Sequence, residues 1–146
     1  MSGGRAWVLA GEPASVAQAR TLVRRELAGH PDTAEDAALA VSELVTNALM
    51  HTRSGDGGVV VLVVITDGPE AAVVGVRDDG GTGTGEPTAT GAGQLAEHGR
   101  GLALVAAVTS GWWTQRAGTG RWTWFRISYG SDQTRPAAIE PTEALR

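Results

Sequence analysis

The sequence contains no cysteine, and its apolar runs are short. The missing cysteines exclude a disulfide framework, a zinc site with thiolate ligands and a cysteine nucleophile. The longest strongly apolar run, from Val59 to Ile65, is too short to cross a bilayer, and the amino-terminal residues lack the apolar stretch of a secretory signal. We therefore expect a soluble protein that works in the cytoplasm without a membrane partner.

Positive charge is also scarce, because the twelve basic residues, all of them arginine, are outnumbered by sixteen acidic ones. The resulting net charge of −4 argues against direct binding to nucleic acid or to an anionic membrane. A protein or a nucleotide is the partner that this charge favours. The length of 146 residues is sufficient for one domain with its own core.

The hydrophobic pattern predicts strands and helices in a definite order. Strands are expected at 5–10, 59–66, 71–76, 112–116 and 121–129. Helices are expected from the corner at 13–15 to about Leu27, from a cap at Asp32 or Thr33 to about His51, and over 99–110. This order predicts an α/β two-layer sandwich, in which helices cover one face of a mixed, mostly antiparallel sheet.

Two segments have little with which to join a core. The stretch from Gly80 to His98 is rich in glycine and threonine and has a single large apolar residue, Leu95, so we expect a mobile lid. Residues 131–146 are polar and interrupted by proline, which predicts a flexible C-terminal tail after a domain spanning 1–130.

Three polar residues in the second predicted helix form the most informative pattern. Glu43, Asn47 and His51 are spaced four residues apart, so they lie along one stripe beside the apolar face. An amide oxygen there can bind magnesium, and a carboxylate one turn earlier can deprotonate a nucleophile near that metal. The same spacing also fits the solvated edge of an ordinary amphipathic helix.

Two further patterns follow in the chain. A buried strand ends in Asp78, Asp79 and Gly80, where a carboxylate can accept the exocyclic amine of adenine, although Asp-Gly is also a common turn. Later, residues 99–102 place two glycines and an arginine at a helix start, where free amides attract anions. Read alone, this last pattern also fits a flexible helix entry.

In their order and spacing, the three patterns resemble those of the GHKL superfamily of ATPases. Members of this superfamily share the Bergerat fold, also called the histidine-kinase-like ATPase domain. The stretch from Glu43 to His51, Glu-Leu-Val-Thr-Asn-Ala-x-x-His, most resembles the single-domain bacterial anti-sigma-factor serine/threonine kinases. The resemblance covers approximately residues 5–129. It implies ATP and Mg²⁺ as ligands, and a sigma factor and an anti-anti-sigma antagonist as partners. Because members of this family often dimerise, it also implies a possible homodimer.

The resemblance also implies roles for individual residues. Glu43 would be the catalytic base, Asn47 would bind Mg²⁺ and thereby the phosphates, and His51 would lie near the phosphate end. Asp78 would hold the adenine amine, with Gly80 beside the base. The remaining ligand residues implied are Thr123, for adenine, and Gly99, Arg100, Gly101 and Leu102, for the phosphates.

One departure from the family pattern concerns the acidic motif. The family usually has Asp-x-Gly-x-Gly, whereas this sequence has Thr82 at the final glycine. Gly81 or Gly83 can substitute after a small shift, and Asp79 is the adenine ligand in an alternative register.

The resemblance predicts a kinase that phosphorylates a protein antagonist and switches partners. The alternatives are a non-catalytic ATP-binding interaction module and an adaptor that binds no nucleotide.

Overall fold

The computed structural model describes residues 3–52, 55, 57–80 and 101–130, which form five strands and three helices. The order along the chain is β1 (Gly3–Ala10), α1 (Ala14–Glu26), α2 (Pro31–His51), β2 (Val59–Asp67), β3 (Ala71–Asp78), α3 (residues 101–108), β4 (Gly111–Ala117) and β5 (Gly120–Ser128). The α/β two-layer sandwich is confirmed. The expected lid after Gly80 and the expected tail, 131–146, lie outside the described residues.

The five strands form one sheet in the order β1-β2-β3-β5-β4, and each pairing is antiparallel. The sequence predicted a mixed sheet, and that detail of the prediction is wrong, because the five strands pair only in the antiparallel sense. Strands β3 and β4 run in the same direction, but the hairpin of β4 and β5 inserts β5 between them, so the parallel strands never pair. Gly68 and Gly118 have positive φ in the two hairpin turns, where a side chain would be strained.

The helices cover one side of the sheet, which we call the inner face. Helix α1 packs on α2 and β2, and α2 packs on β3 and β5. The apolar residues of α2 recur every three or four positions, so they form one buried stripe that includes Val41, Leu44, Val45 and Ala48. These residues join alternate residues of the strands, among them the fully buried Phe125, in the main core.

The other side of the sheet, which we call the outer face, also carries apolar side chains. Alternation and strand register place on it Val8, Val61, Val63, Ile65, Val73, Trp113, Trp122 and Trp124. The rings of Trp122 and Trp124 stack with centroids 4.8 Å apart, and Trp113 lies 6.4 Å from Trp124. Trp122 and Trp124 share this face, and its exposed edge lies at Val8.

The first turn of α2 is attached to the end of β5. The helix begins at Pro31 after His30, with no side-chain cap, so the cap expected at Asp32 or Thr33 is wrong. Proline suits this position because its fixed φ is helical and its missing N–H would have had no partner. The His30 ring stacks on Tyr129 at 3.8 Å, and Thr33 Oγ1 donates to the Ser128 carbonyl at 3.3 Å.

No helix in the described part of the chain combines the length and the apolar character that crossing a bilayer requires.

Candidate functional site

The predicted polar stripe lies on α2 at the border of the main core. Glu43, Asn47 and His51 are all half-buried, whereas the residues between them that face the sheet are buried. His51 is the last residue of the helix, so the stripe extends to its carboxyl end. The three side chains therefore follow one line, four residues apart, along the rim of the sandwich.

Gly101 brings the first described turn of α3 against this stripe. A Cβ atom built on Gly101 would lie 2.9 Å from Glu43 Oε1 and 3.5 Å from Asn47 Nδ2. Gly101 is buried, and the space that a side chain would need is occupied by the carboxylate and the amide. A side chain at this position would displace the Glu43 carboxylate, and two predicted site residues 54 or more positions earlier in the chain lie beside the first described turn of the helix.

The neighbours of Gly101 differ in what they can contribute. The side chain of Leu102 packs against the main core, so this residue can offer only its backbone N–H to a ligand. Gly99 and Arg100, which were predicted to contact phosphate, lie outside the described residues. Their roles stay predictions.

Asp78 lies at the end of β3, on the inner face. It is paired with Arg121, two residues beyond the pair of Val76 and Thr123, so Asp78 and Thr123 are diagonal neighbours on one face. Asp78 Oδ1 accepts a hydrogen bond from the N–H of Gly80 at 2.8 Å. Burial raises the pKa of Asp78 above its ordinary value, and the backbone N–H of Gly80 and the guanidinium of Arg121 oppose that increase.

The turn between β4 and β5 explains why Gly80 is a glycine. Gly80 has a φ of 94°, and a Cβ atom there would lie 1.8 Å from the carbonyl oxygen of Thr119. A Cβ atom on Gly120 would similarly lie 2.0 Å from the Asp78 carbonyl oxygen. The chain around Asp78 is thus pressed directly against this turn, and backbone packing alone requires both glycines.

Asp79 points to a different part of the molecule. Its Oδ2 accepts a hydrogen bond from the N–H of Val59, the first residue of β2, at 2.9 Å. Asp79 therefore fastens the end of β3 to the start of β2. Of the two registers open from the sequence, this geometry favours Asp78, which lies on the inner face, whereas the Asp79 carboxylate is engaged by β2.

Comparison with known families agrees with this arrangement. A family model described as a histidine kinase-like ATPase domain matches residues 9–127. The chain belongs to this family. The match spans every described element except the first strand's beginning and the last residue of β5, and it supports the resemblance to the GHKL superfamily. No curated protein matches the chain.

A histidine kinase-like ATPase domain is an ATP-binding domain, so the family supports an ATP-binding regulatory function for this chain. The structure brings Glu43, Asn47 and Gly101 together, and it places Asp78 and Thr123 side by side on the inner face. These are the two chemical elements that a nucleotide needs: an anchor for a base amine, and oxygen and amide groups near a helix start.

Sequence analysis did not single out Arg121 or Thr119, which both contact the segment around Asp78. Arg121 is the strand partner of Asp78, and Thr119 presses on Gly80. Both depend on a pairing between β3 and β5, strands more than 40 residues apart. The strands expected at 112–116 and 121–129 are close enough in the chain to form a hairpin, but they do not show beside which strand the hairpin would lie.

Proposed function

We propose that this domain binds Mg-ATP in the groove between α2 and α3 and transfers the γ-phosphoryl group to a serine or threonine of a protein antagonist. The contact of Gly101 with Glu43 and Asn47 carries the proposal. It puts a carboxylate and an amide beside the first described turn of a helix, and groups of these kinds can position and stabilise a transferring phosphoryl group. The anti-sigma-factor kinases, which the sequence resembles, work on this kind of acceptor.

The donor set suits magnesium only together with a nucleotide. Within residues 3–52, 57–80 and 101–130, no three His, Cys, Asp or Glu side chains are grouped as a metal site. Asn47 offers a single amide oxygen, and magnesium commonly takes one or two protein ligands, with phosphates and waters supplying the others. When bound, the ion neutralises charge on the phosphate oxygens. Asn47 is therefore the residue that would hold it.

In this proposal Glu43 is the base that acts on the acceptor hydroxyl. In the proposed step the serine or threonine oxygen forms a bond to the γ-phosphorus, and the bond between that phosphorus and the β–γ bridging oxygen breaks. Glu43 accepts the hydroxyl proton, and ADP leaves with the electron pair of the broken bond. A positioned base of this kind typically contributes about 10²–10⁴-fold to the rate. His51, one turn further along α2, would lie near the phosphates.

The adenine end of the proposed site lies at Asp78. Asp78 lies on the inner face, and its carboxylate accepts hydrogen bonds from the backbone N–H groups of Gly80 and Arg121. An ionised carboxylate accepts hydrogen bonds from the adenine amine, and Thr123 beside it has a hydroxyl that can complete the contact.

Calorimetry with the Glu43→Gln variant separates catalysis from binding. We expect the affinity for Mg-ATP to stay within about threefold of the wild type, because the amide keeps the shape of the side chain. Phosphoryl transfer should fall by about 10²–10⁴-fold. Glu35→Gln is the matched control, since Glu35 lies on the same helix but is exposed and paired with Arg24; it should change neither quantity.

The acceptor can be found with a pull-down in the presence and absence of Mg-ATP. Retained proteins are then incubated with γ-radiolabelled ATP and either wild type or Glu43→Gln. Label on a serine or threonine that depends on Glu43 supports the kinase. Tight ATP binding without transfer to any retained protein would favour the non-catalytic module, and absence of ATP binding would leave only an adaptor.

The partners that we propose are a sigma factor and its antagonist. The proposal rests on the resemblance of residues 43–51 to anti-sigma-factor kinases and on the acidic net charge of −4, which suits a protein or nucleotide partner better than nucleic acid. A sigma factor retained only by the ATP-loaded domain would support it. Sedimentation of the same samples would show whether the domain is a homodimer.

A further inference from the structure

The two edges of the sheet differ in the side chains that protect them. Strand β1 forms one edge and β4 forms the other. The centre of β4 carries the exposed polar residues 114–116, Thr-Gln-Arg, and polar or charged side chains are a common protection of an edge. Apart from Arg5, the exposed residues of β1 are small or apolar, and Val8 is 69% exposed. Strand β1 is therefore the edge that a further strand can approach.

Hydrogen bonds at both ends of β1 show which of its residues turn their backbone groups outward. Directly after the strand, the Gly11 N–H donates to the Gly58 carbonyl at 2.9 Å. At the other end Gly3 pairs with Thr66 and exchanges hydrogen bonds with its hydroxyl. In an antiparallel ladder, residues that bond to the neighbouring strand alternate with residues that point away from it. The odd-numbered residues of β1 therefore face β2, and the even-numbered residues direct their N–H and C=O groups to the edge.

Three of these outward residues have unused backbone groups. Among residues 3–52, 55, 57–80 and 101–130, the N–H and C=O groups of Gly4, Ala6 and Val8 have no partner on the edge side. Ala10 differs, because its carbonyl accepts from the Ser15 hydroxyl and from the Glu12 N–H as the chain turns away. The usable edge thus consists of three residues at alternate positions, which is the pattern that an added antiparallel strand requires.

We infer that two copies of this chain pair through β1 about a twofold axis at Ala6, so that the two sheets become one sheet of ten strands. In this register Ala6 lies opposite Ala6 of the second copy, and Gly4 lies opposite Val8. Every unused N–H of the three residues then meets an unused carbonyl. The new pairing is antiparallel, like the pairings within the sheet, and twofold symmetry is the commonest symmetry of dimers.

The side chains of β1 suit a second copy in this register. On the outer face, Gly4 lies opposite Val8 and leaves room for that exposed side chain. On the inner face, Arg5 lies opposite Trp7 of the second copy, in a pair without backbone hydrogen bonds, where side chains approach closely. A guanidinium on an indole ring is a favourable contact. Arg5 is the only charged residue of β1, so no two like charges are opposite each other.

The size of this contact predicts a reversible dimer. It involves one strand of each copy, which is at the low end of the range for specific interfaces, so the dimer should form only as the protein concentration rises. The contact uses neither α2, nor α3, nor the end of β3. The inference therefore does not depend on the proposed binding of ATP, and each can fail without the other.

Cross-linking tests the register. Because the chain has no cysteine, Ala6→Cys introduces a single thiol. Its Cα atom would lie about 5.5 Å from that of the second copy, which a disulfide can bridge. Ala10→Cys is the matched control, since Ala10 is also exposed but would lie about 26 Å from its counterpart. Under mild oxidation, Ala6→Cys should form the covalent dimer on the order of tenfold faster. Equal rates would indicate random collision and would overturn the inference.

Sedimentation equilibrium tests the pairing without a cross-link. The mass of the wild type should rise towards that of two chains with concentration. Ala6→Pro should raise the dimer dissociation constant by more than about tenfold, because the central pair loses both its hydrogen bonds, while the monomer tolerates proline where the N–H does not bond to β2. Ala6→Thr keeps the N–H and should dimerise like the wild type. A wild type that stays monomeric, or an Ala6→Pro that dimerises equally well, would overturn the inference. So would an Ala6→Cys that cross-links only to an added partner protein, since another protein's strand would then occupy the edge.

Discussion

The two faces of the sheet use the same strands for different purposes. On β5, Phe125 and Ile127 point to the inner face and are fully or almost fully buried, whereas Trp122 and Trp124 point outward and are half-buried. The inner face holds the main core and, where β3 ends, polar residues of the proposed nucleotide site. The outer face holds stacked rings and no residue of that site. Changes on one face should therefore leave the properties of the other intact.

The largest effect should come from the centre of the inner face. Phe125→Ala removes a fully buried ring from the main core, and we expect it to lower the free energy of unfolding by about 3–5 kcal/mol. Trp122→Ala is the contrast on the outer face of the same strand, and about 1 kcal/mol is expected there. Urea denaturation measures both. Equal losses would show that the outer face is as much a core as the inner one.

A smaller but still large loss should follow from Gly80→Ala. The new Cβ atom would meet the Thr119 carbonyl oxygen, and alanine disfavours the φ of 94°, so the free energy of unfolding should fall by more than about 2 kcal/mol. Gly29→Ala is the control, since no atom lies within 4 Å of its added Cβ; its effect should be within about 0.5 kcal/mol. Thermal unfolding at one pH compares them. A harmless Gly80→Ala would mean that the turn moves away easily.

A pair of glycine variants separates the two faces by function. Gly101→Ala should weaken Mg-ATP binding by about 10-fold to 100-fold, because its methyl group would displace Glu43 and Asn47, and should change stability by less than about 1 kcal/mol. Gly75→Ala should lower stability and leave Mg-ATP affinity unchanged, since its methyl group meets the Trp124 ring on the outer face. Calorimetry and urea denaturation on both proteins give the four numbers. A loss of ATP affinity in Gly75→Ala would break the separation.

The smallest effect should be on the pH dependence of stability, through the carboxyl group of Asp78. The pKa of Asp78 is raised in the folded protein, mainly by burial, above its ordinary value of 3.8. Between these two values the folded state binds more protons than the unfolded state, so the contribution of Asp78 to stability falls as pH rises through that window. Relative to wild type, Asp78→Asn should therefore gain stability as pH rises from 3.8 to the folded pKa. Urea denaturation at several pH values measures the difference, and a pH-independent difference would contradict the raised pKa.

The affinity for ATP should respond to the same group with the opposite sign. Only the ionised carboxylate accepts from the adenine amine in the proposed site, so wild-type affinity should fall on acidification at a higher pH than an ordinary aspartate would cause. Taking the ratio of wild-type to Asp78→Asn affinity removes the titration of ATP itself. A constant ratio across the window would argue against Asp78 as the adenine ligand.

The local sequence pattern was sufficient to predict the helices and strands, but not the residues at which they end. The apolar spacing in α2 predicted the residues that are buried, because a helix face depends on neighbours three and four residues away. The strand β3 was expected to end at Val76 but continues to Asp78, since Arg77 and Asp78 pair with Trp122 and Arg121. That pairing partner is distant in sequence, so no local rule could reveal it.

The candidate site shows the same division. The spacing of Glu43 and Asn47 placed both residues on one stripe, as the structure has them, because four residues complete about one helical turn. Their contact with Gly101 needed the resemblance to a family, since chain direction alone does not bring α3 to α2. Arg121 and Thr119 lie next to the segment around Asp78. Their proximity follows only from the three-dimensional arrangement, in which β3 lies beside the β4–β5 hairpin.

The attachment of α2 to the end of β5 has a mechanical consequence. His30 stacks on Tyr129, and Thr33 bonds to Ser128, so the helix that carries Glu43 and Asn47 is tethered where the chain leaves the sheet. A tension applied to the residues after Gly130 reaches the first turn of α2 through these two contacts. Force applied at the carboxyl end of the domain can therefore reach the helix that carries the proposed ATP site.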